Sequence, residues 1–595
     1  LQTQPGFYMA RREWGSQAYL RGIPDSTLFL YDTVPLVLDA DKSLQQLDYE
    51  LSLAPVKRIE IIRGPGSVLW GPDAFAGIVN IVPMTGKDLN GFETGLLYGY
   101  PDDQRGFFVN AGHDGGVWDG FFSISGRAEN QDDGPVNIVR FWGDEETRAL
   151  PFPDRIGLET PEDPYYFEAS GRLAYHDWLS ISGRISQYKL PYAISRAEKD
   201  LSWIETRREP LNYLKMEAKK PLNPSSVLRF AGYYSWAAPE TEIIGRGIEQ
   251  EERTAYGELI YERSFWTGLG LFTGGLSYRE KQIQDAPFWS GALPPFLGPE
   301  NEFNLAPQIT LVDYTSRLWS TFGQYSHKWG GVDTWLGMRY DAHDPYQDRL
   351  SYNIGAKWSP DSRWIFKLLY GTAYRTPYGR QLLEDEEPEL ENIESISAQI
   401  AWKPFPRAWA SVVGFLNRIE DHRMEDPYAG TELSLSNHQT LYGMELEGFF
   451  SPAESLQISA NLTLMDNTGP DEIYKRLKFI RPLPDGDFEE VFEEIQYPYD
   501  IGASTLFNLM ASWKPAENFS LFGRLGYFGS RLLIDPGNEH SSKISGAWIL
   551  DMSANLNNLL GRGIDLQVSA YNLTDRDYQT PGTYSAIDGD PLSVE

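Results

Sequence analysis

From residue 92 onward the chain repeats one pattern, in which segments of alternating apolar and polar residues are separated by polar connections. The segment 214–219, for example, reads Leu-Lys-Met-Glu-Ala-Lys, and 548–557 alternates in a similar way. Because successive side chains of a β-strand point to opposite faces of a sheet, each segment would carry one apolar and one polar face. We count 21 such segments between residues 92 and 574. The chain is therefore predicted to form a very large antiparallel β-sheet.

The connections between these segments alternate between short and long. The short ones include 114–116, 222–224, 330–331 and 405–406, and the long ones include 131–164, 191–209, 284–312, 377–392, 421–437 and 468–501. A soluble β-sandwich has no reason to sort its loops by parity. An outer-membrane barrel does, since it has long loops outside the cell and short turns in the periplasm.

The predicted fold is an all-β membrane protein, built around a 22-stranded antiparallel transmembrane β-barrel. Bacterial single-chain barrels have an even number of strands, so the odd count predicts that the last strand is missing from this chain. No run of about 18 apolar residues is available for a transmembrane helix. Aromatic residues make up 14% of the chain, with 34 Tyr and 18 Trp, which is typical of a barrel with aromatic girdles at the membrane surfaces.

The formal net charge of -32 argues against nucleic acid as a partner, because phosphates would be repelled. Three predicted loop segments, 131–164, 379–394 and 485–500, together hold 23 acidic and 4 basic side chains. An anionic ligand approaching these loops would be penalised, whereas a neutral or cationic one would not. The chain has no cysteine, which excludes disulfides and thiolate metal sites.

Residues 56–82 read VKRIEIIRGPGSVLWGPDAFAGIVNIV, two short apolar runs joined by a turn region rich in glycine and proline. The predicted turn positions are Gly64, Pro65, Gly71 and Gly77. Glycine permits positive φ, and proline fixes φ at about −65°, which suits a turn. This stretch resembles the plug domain of TonB-dependent outer-membrane receptors. The segments 4–7, 19–22 and 27–36 resemble other parts of that plug, and 443–447 (GMELE) and 571–578 (YNLTDRDY) resemble strands of its barrel.

The resemblance implies two domains: an α+β plug over residues 1–88, lacking its first part, and a barrel over 89–595 that the plug occludes. It also implies the outer membrane of a Gram-negative bacterium, with lipid or lipopolysaccharide around the barrel. The implied function is uptake of a scarce nutrient complex, a small-molecule metal complex such as a ferric siderophore or cobalamin, energised by a TonB-type partner. The alternative is a surface scaffold or adhesin that keeps the receptor fold and binds another protein without transport.

Two charged residues of the plug, Glu60 and Arg63, are candidates for ion pairing with lumen-facing carboxylates, which would hold the plug in the barrel. The alternative is that they are exposed strand ends. Buried charges are very costly unless paired, so a position inside a barrel favours the ion pairs.

The predicted long loops supply the remaining candidates. Four aromatic residues are candidate ligand contacts or packing residues within loops: Phe141, Trp142, Trp203 and Trp289. Two acidic pairs are predicted to be solvated or to bind Ca²⁺ through carboxylate oxygens: Glu386 with Glu387, and Glu489 with Glu490. No other cofactor is predicted.

An enzyme is not predicted. The seven histidines lack metal-ligand spacing, and no nucleophile elbow or Walker-type loop is present.

Overall fold

The computed structural model describes most of the chain. The described residues are 1–12, 15–40, 42, 51–100, 103–129, 137–140, 164–195, 203–208, 211–243, 246–289, 309–379, 381–384, 389–424, 433–482, 488–535, 540–581 and 593–594. Within them the structure is almost entirely β, and no helix is long and apolar enough to cross a membrane.

The N-terminal part, which we call the plug, contains seven short strands. They are β1 (Phe7–Arg12), β2 (Gly15–Leu20), β3 (Ile23–Pro24), β4 (Thr27–Tyr31), β5 (Val34–Pro35), β6 (Val56–Arg63) and β7 (Gly77–Pro83). β1, β2 and β3 form one antiparallel sheet, and a second has the order β5-β4-β7-β6, in which only β4 and β7 are parallel. A single helical turn, Ser67–Trp70, lies between β6 and β7.

The remaining strands begin at Gly91. They are β8 (Gly91–Gly99), β9 (Gln104–Asp114), β10 (Trp118–Ala128), β11 (Asn137–Arg140), β12 (Tyr165–Tyr175), β13 (Leu179–Ser195), β14 (Trp203–Arg208), β15 (Leu211–Asn223), β16 (Ser226–Ala237), β17 (Glu240–Ile243), β18 (Arg246–Glu249), β19 (Glu251–Phe265), β20 (Gly270–Trp289), β21 (Ile309–Trp329), β22 (Val332–Asp344), β23 (Arg349–Trp358), β24 (Trp364–Arg375), β25 (Glu391–Phe405), β26 (Ala408–His422), β27 (Asn437–Ala453), β28 (Leu456–Thr468), β29 (Glu472–Pro482), β30 (Phe488–Tyr497), β31 (Thr505–Ala516), β32 (Phe519–Phe528), β33 (Arg531–Asp535), β34 (His540–Ile544), β35 (Ala547–Leu559), β36 (Ile564–Ala570), β37 (Thr580–Pro581) and β38 (Ser593–Val594). Two further helical turns are Trp266–Gly268 and Gln381–Glu384.

Twenty-one of these strands form a single sheet that curves into a closed barrel around the plug. Each long strand pairs antiparallel with the next, as the alternating pattern predicts. The short strands β11, β14, β17 and β18 extend the sheet at the end that carries the long connections. We call this end the outer rim and the end with the short turns the inner rim. The twenty-second strand, which the sequence analysis expects to be missing from this chain, stays a prediction.

The two faces of the barrel wall differ as the sequence pattern predicts. On β15, Leu214 is 57% exposed on the outside, whereas its neighbour Lys215 is 2% exposed and points into the lumen. A belt of exposed tryptophans lies at or near the short turns of the inner rim, which is typical of a membrane–water interface: Trp118, Trp178, Trp266, Trp329, Trp358, Trp402 and Trp513.

The predicted long connection 468–501 joins β28 to β31, and within it β29 and β30 form an antiparallel hairpin that was not predicted. Backbone pairing stabilises this hairpin although charged residues break the apolar alternation.

Candidate functional site: the plug–barrel interface

The plug is tied to the barrel by a buried ion-pair cluster at Glu445 of β27. Both carboxylate oxygens of Glu445 accept hydrogen bonds from Arg21 of the plug, at 2.8 Å from Nε and 3.0 Å from Nη2. Arg63, at the end of β6, donates to the same carboxylate at 2.9 Å and to Glu447 at 2.5 Å. The side chains of Arg21 and Glu445 are 3% and 0% exposed, so this pairing operates away from bulk water. We call these four residues the Glu445 anchor.

Glu60 lies elsewhere, and its predicted pairing with the barrel is corrected. Its carboxylate accepts from Arg58, 2.6 Å away on the same strand, and from the Asn80 amide of β7 at 3.1 Å. Arg58 is two residues away and points to the same face, so it is the nearest available cation. Hydrogen bonds from Arg58 and Asn80 lower the pKa of Glu60.

The four predicted turn positions shape the part of the plug between β6 and β7. Gly64 and Gly71 have positive φ values of 111° and 83°. Pro65 faces the wall, because a Cβ added at Gly371 of β24 would lie 3.2 Å from its ring. Gly77 permits a close approach within the plug, since a Cβ there would lie 2.7 Å from the carbonyl oxygen of Ile62.

A second polar cluster closes the outer part of the interface. Lys42 of the plug donates to Asp73 at 2.6 Å and to both oxygens of Thr376, just after β24, at 2.6 and 2.7 Å. The Thr376 backbone amide donates to Asp73 at 2.9 Å. Nearby, Asp39 forms an ion pair with Lys281 of β20. We call these five residues the outer clasp.

Burial and charge oppose each other in the clasp. Burial lowers the pKa of Lys42 to about 8, against the attraction of Asp73. Burial alone would raise the pKa of Asp73, but Lys42, Lys281 and Arg279 outweigh it and hold that pKa well below its usual range. The pair is therefore charged at neutral pH, and its lysine titrates at mildly alkaline pH.

Another buried network joins the barrel wall to the plug at the outer rim. Arg375 donates to Glu391 at 2.5 Å and to the backbone carbonyl of Pro24 at 3.2 Å. The other oxygen of Glu391 lies 2.6 Å from Nδ1 of His422. This network and the Glu445 anchor lie on strands β24 to β27.

A large cavity lies on another side of the plug, against the wall formed by β12 to β20. Its volume is about 800 Å³. Its lining runs from the clasp residues Lys42 and Asp73 to Thr85 and Trp178 near the inner rim. Among the described residues the lining includes nine basic and eight acidic side chains, which is nearly balanced although the whole chain carries -32.

The remaining predicted residues are not brought into this site. Phe141, Trp142, Glu386 and Glu387 lie outside the described residues. Trp203 and Trp289 belong to β14 and β20, and Glu489 and Glu490 to β30, but the description of these four residues does not extend to their side chains. Ligand contact and Ca²⁺ binding at these positions stay predictions. No group of three or more His, Asp or Glu side chains within the described part is arranged to hold a metal ion.

Several interface residues were not predicted from the sequence. Glu445 and Glu447 are alternate residues of the GMELE segment and therefore share one face of the strand. Two carboxylates on an inward face could have indicated an arginine partner. Arg21 lies in the segment 19–22 that resembles the plug. Lys42 and Asp73 carry no local signal, because their barrel partner is about three hundred residues away in the sequence.

Comparison with known proteins agrees with this architecture. The plug-domain model of TonB-dependent receptors matches residues 1–78, and the model of the TonB-dependent receptor-like beta-barrel matches residues 117–573. The vitamin B12 transporter BtuB of Vibrio vulnificus (strain CMCP6) is 21% identical over 467 residues, covering 76% of this chain and 69% of that protein.

Two solved structures illustrate the shared fold. The FrpB iron transporter from Neisseria meningitidis (F3-3 variant) superposes with a TM-score of 0.73 at 14% identity, covering 100% of this chain and 94% of that one. The siderophore receptor PiuA from Acinetobacter baumannii gives 0.70 at 13% identity, covering 100% and 91%. Since the barrel model alone spans most of the sequence, the chain belongs to the TonB-dependent receptor family of Gram-negative outer-membrane proteins.

Proposed function

We propose that this protein takes up a scarce nutrient complex, a ferric siderophore or cobalamin, across the outer membrane with energy supplied through TonB. The observation that carries the proposal is the cavity beside the plug. It leads from the outer clasp to the inner rim, so displacement of the clasp would join it to the outside. The plug thus both fills the barrel and borders the cavity through which a complex would pass.

The anchor and clasp contacts that hold the plug in the barrel are polar, which is compatible with a plug that is released during transport. The Glu445 anchor and the outer clasp consist of ion pairs and hydrogen bonds between plug and wall. Such contacts can be exchanged for water when a lumen hydrates, so their net contribution falls as they become exposed. A pull on the plug from the periplasm would therefore meet resistance that declines once displacement begins.

The choice of cargo is supported by the relatives. BtuB is described as a vitamin B12 transporter, FrpB as an iron transporter and PiuA as a siderophore receptor. Outer-membrane lipid is the proposed partner of the apolar wall and its tryptophan belt, and lipopolysaccharide that of the outer rim.

Growth under nutrient limitation tests the proposal. The protein would be produced in a Gram-negative host that lacks its own siderophore and cobalamin receptors. Ferric catecholates, ferric hydroxamates or cobalamin would be the limiting nutrient, and a matched host without TonB would be the control. We expect growth on at least one nutrient, and only when TonB is present. Surface binding with no growth on any of them would contradict transport and support the scaffold alternative.

A further inference from the structure

The wall of the cavity carries a row of polar and aromatic side chains at one level of the sheet. Cross-strand pairing joins Arg279 to Tyr256, Tyr256 to Tyr233, Tyr233 to Lys215, Lys215 to Ser182, and Ser182 to Arg172. All six residues except Ser182 line the cavity. The row therefore spans six strands and lies between the clasp and the inner rim.

Among the described residues, the plug forms hydrogen bonds with one end of this row. Its turn at Asp32 accepts a hydrogen bond from Ser182 at 2.6 Å and another, to its backbone carbonyl, from Lys215 at 2.7 Å. At the other end, Tyr233, Tyr256 and Arg279 are partly buried and border the cavity. We call these three residues the Arg279 patch.

Arg279 differs from the other cations at the interface. Arg21, Lys42, Lys215 and Lys281 each form an ion pair with a carboxylate. The guanidinium of Arg279 forms no hydrogen bond or ion pair with any residue in the described part of the chain.

The nearest carboxylates do not satisfy Arg279. Asp73 and Asp39 interact with it electrostatically, but they are bound to Lys42 and Lys281. Their charges stabilise the guanidinium from a distance, but its N–H donors have no acceptor among the described residues and remain available to an anionic ligand in the cavity.

The two tyrosines define what else the partner must offer. The rings of Tyr233 and Tyr256 are stacked, with centroids 4.9 Å apart and planes 21° apart. Stacked rings beside a guanidinium present aromatic faces and N–H donors together, which suits a planar aromatic group that carries negative oxygen atoms.

We infer that the Arg279 patch is a transit binding site for anionic complexes bearing aromatic rings, of which a ferric catecholate is the type, on their way between plug and wall. The inference rests on the proposed transport function and specifies its substrate class. It runs against the repulsion expected from the acidic loops. That repulsion acts at the outer rim, whereas the cavity lining is nearly neutral and holds an unpaired cation.

The experiment compares Arg279→Gln, Arg279→Lys and the wild-type protein in whole cells that contain TonB. The control is Arg317→Gln, because Arg317 is an arginine of β21 paired with Glu280 on the exposed side of the wall. Two quantities are measured with labelled probes: binding to de-energised cells and the initial rate of energised uptake. The probes are a ferric tris-catecholate, a neutral ferric tris-hydroxamate and cyanocobalamin. Heat-modifiable migration of the barrel on gels verifies folding of each variant.

We expect Arg279→Gln to lower tris-catecholate uptake at least tenfold while its binding to de-energised cells changes less than twofold. Arg279→Lys should keep at least a third of the rate, and Arg317→Gln should match the wild type. Energised uptake of only hydroxamate or cobalamin by the wild type would overturn the inference and leave the proposed function intact. An unchanged catecholate rate in Arg279→Gln would overturn it as well. Absence of energised uptake of every probe would instead contradict the proposed function.

Discussion

Replacing Glu445 by Gln should detach the plug from the wall more than any other single change at the anchor. The substitution keeps the shape of the side chain but removes the negative charge that two arginines share. Arg21 then has no carboxylate and remains buried, at 3% exposed. Removal of one partner of a buried ion pair costs about 3–5 kcal/mol, because the other charge is left uncompensated.

Arg63 limits the loss on its own side. It still pairs with Glu447 at 2.5 Å, and its side chain is 23% exposed, so water screens part of the lost interaction. We therefore assign most of the cost to Arg21 and expect about 4 kcal/mol for Glu445→Gln. The matched change, Glu447→Gln, leaves Arg63 paired with Glu445 and should cost about 1 kcal/mol.

Hydrogen exchange of the plug amides measures this difference. Local opening of β1 and β2 follows the free energy of docking, so about 4 kcal/mol should raise their exchange rates roughly a thousandfold in Glu445→Gln. In Glu447→Gln the increase should be about fivefold. Equal exchange in the two variants would refute the assignment of the anchor to the Arg21–Glu445 pair. A double variant that also carries Arg21→Gln should recover part of the loss.

Three further predictions concern the clasp and the plug turn. Asp73→Asn leaves Lys42 buried without a full counter-charge and should cost about 3 kcal/mol of docking free energy, measured by hydrogen exchange of the plug. The pKa of Lys42 is about 8 in the folded protein and 10.5 ordinarily. Between those two pH values the unfolded chain keeps this proton while the folded protein has lost it, so the free energy of unfolding should rise with pH. Thermal unfolding should show this rise in the wild type but not in Lys42→Met. Gly77→Ala places a Cβ 2.7 Å from the Ile62 carbonyl and should cost about 1–3 kcal/mol in thermal unfolding, whereas Gly257→Ala meets nothing within 4 Å and should cost much less.

The barrel could be predicted from the sequence because its signal is local. A strand with one face in lipid and one in the lumen must alternate, and the 21 predicted segments correspond to the long strands of the sheet. The hairpin of β29 and β30 was not predicted because it lies outside the barrel sheet. Its charged residues therefore follow no period-two rule, and backbone pairing alone does not show in a sequence.

The candidate site was predictable only where one partner belongs to a distinctive motif. Arg63 is the last residue of β6 in the plug segment. Because a cation inside a barrel needs a counter-charge, a carboxylate partner could be predicted for it. Glu60 shares the same strand but points to a face where Arg58 is available. The contacts of Lys42 with Thr376 depend on how the plug sits in the lumen, which no local pattern encodes.

The most direct test of the central claim, that the plug must move relative to the wall for cargo to pass, uses the absence of cysteine from the chain. Asp32 and Ser182 touch at 2.6 Å across the cavity side, so Asp32→Cys with Ser182→Cys can be joined by oxidation or a short bis-maleimide. The measurement is the energised uptake of whichever nutrient supports growth. Our account predicts that the oxidised double variant loses uptake and that reduction returns uptake to the level of the single variants. Uptake at the wild-type rate with the tether shown to be complete would contradict the account.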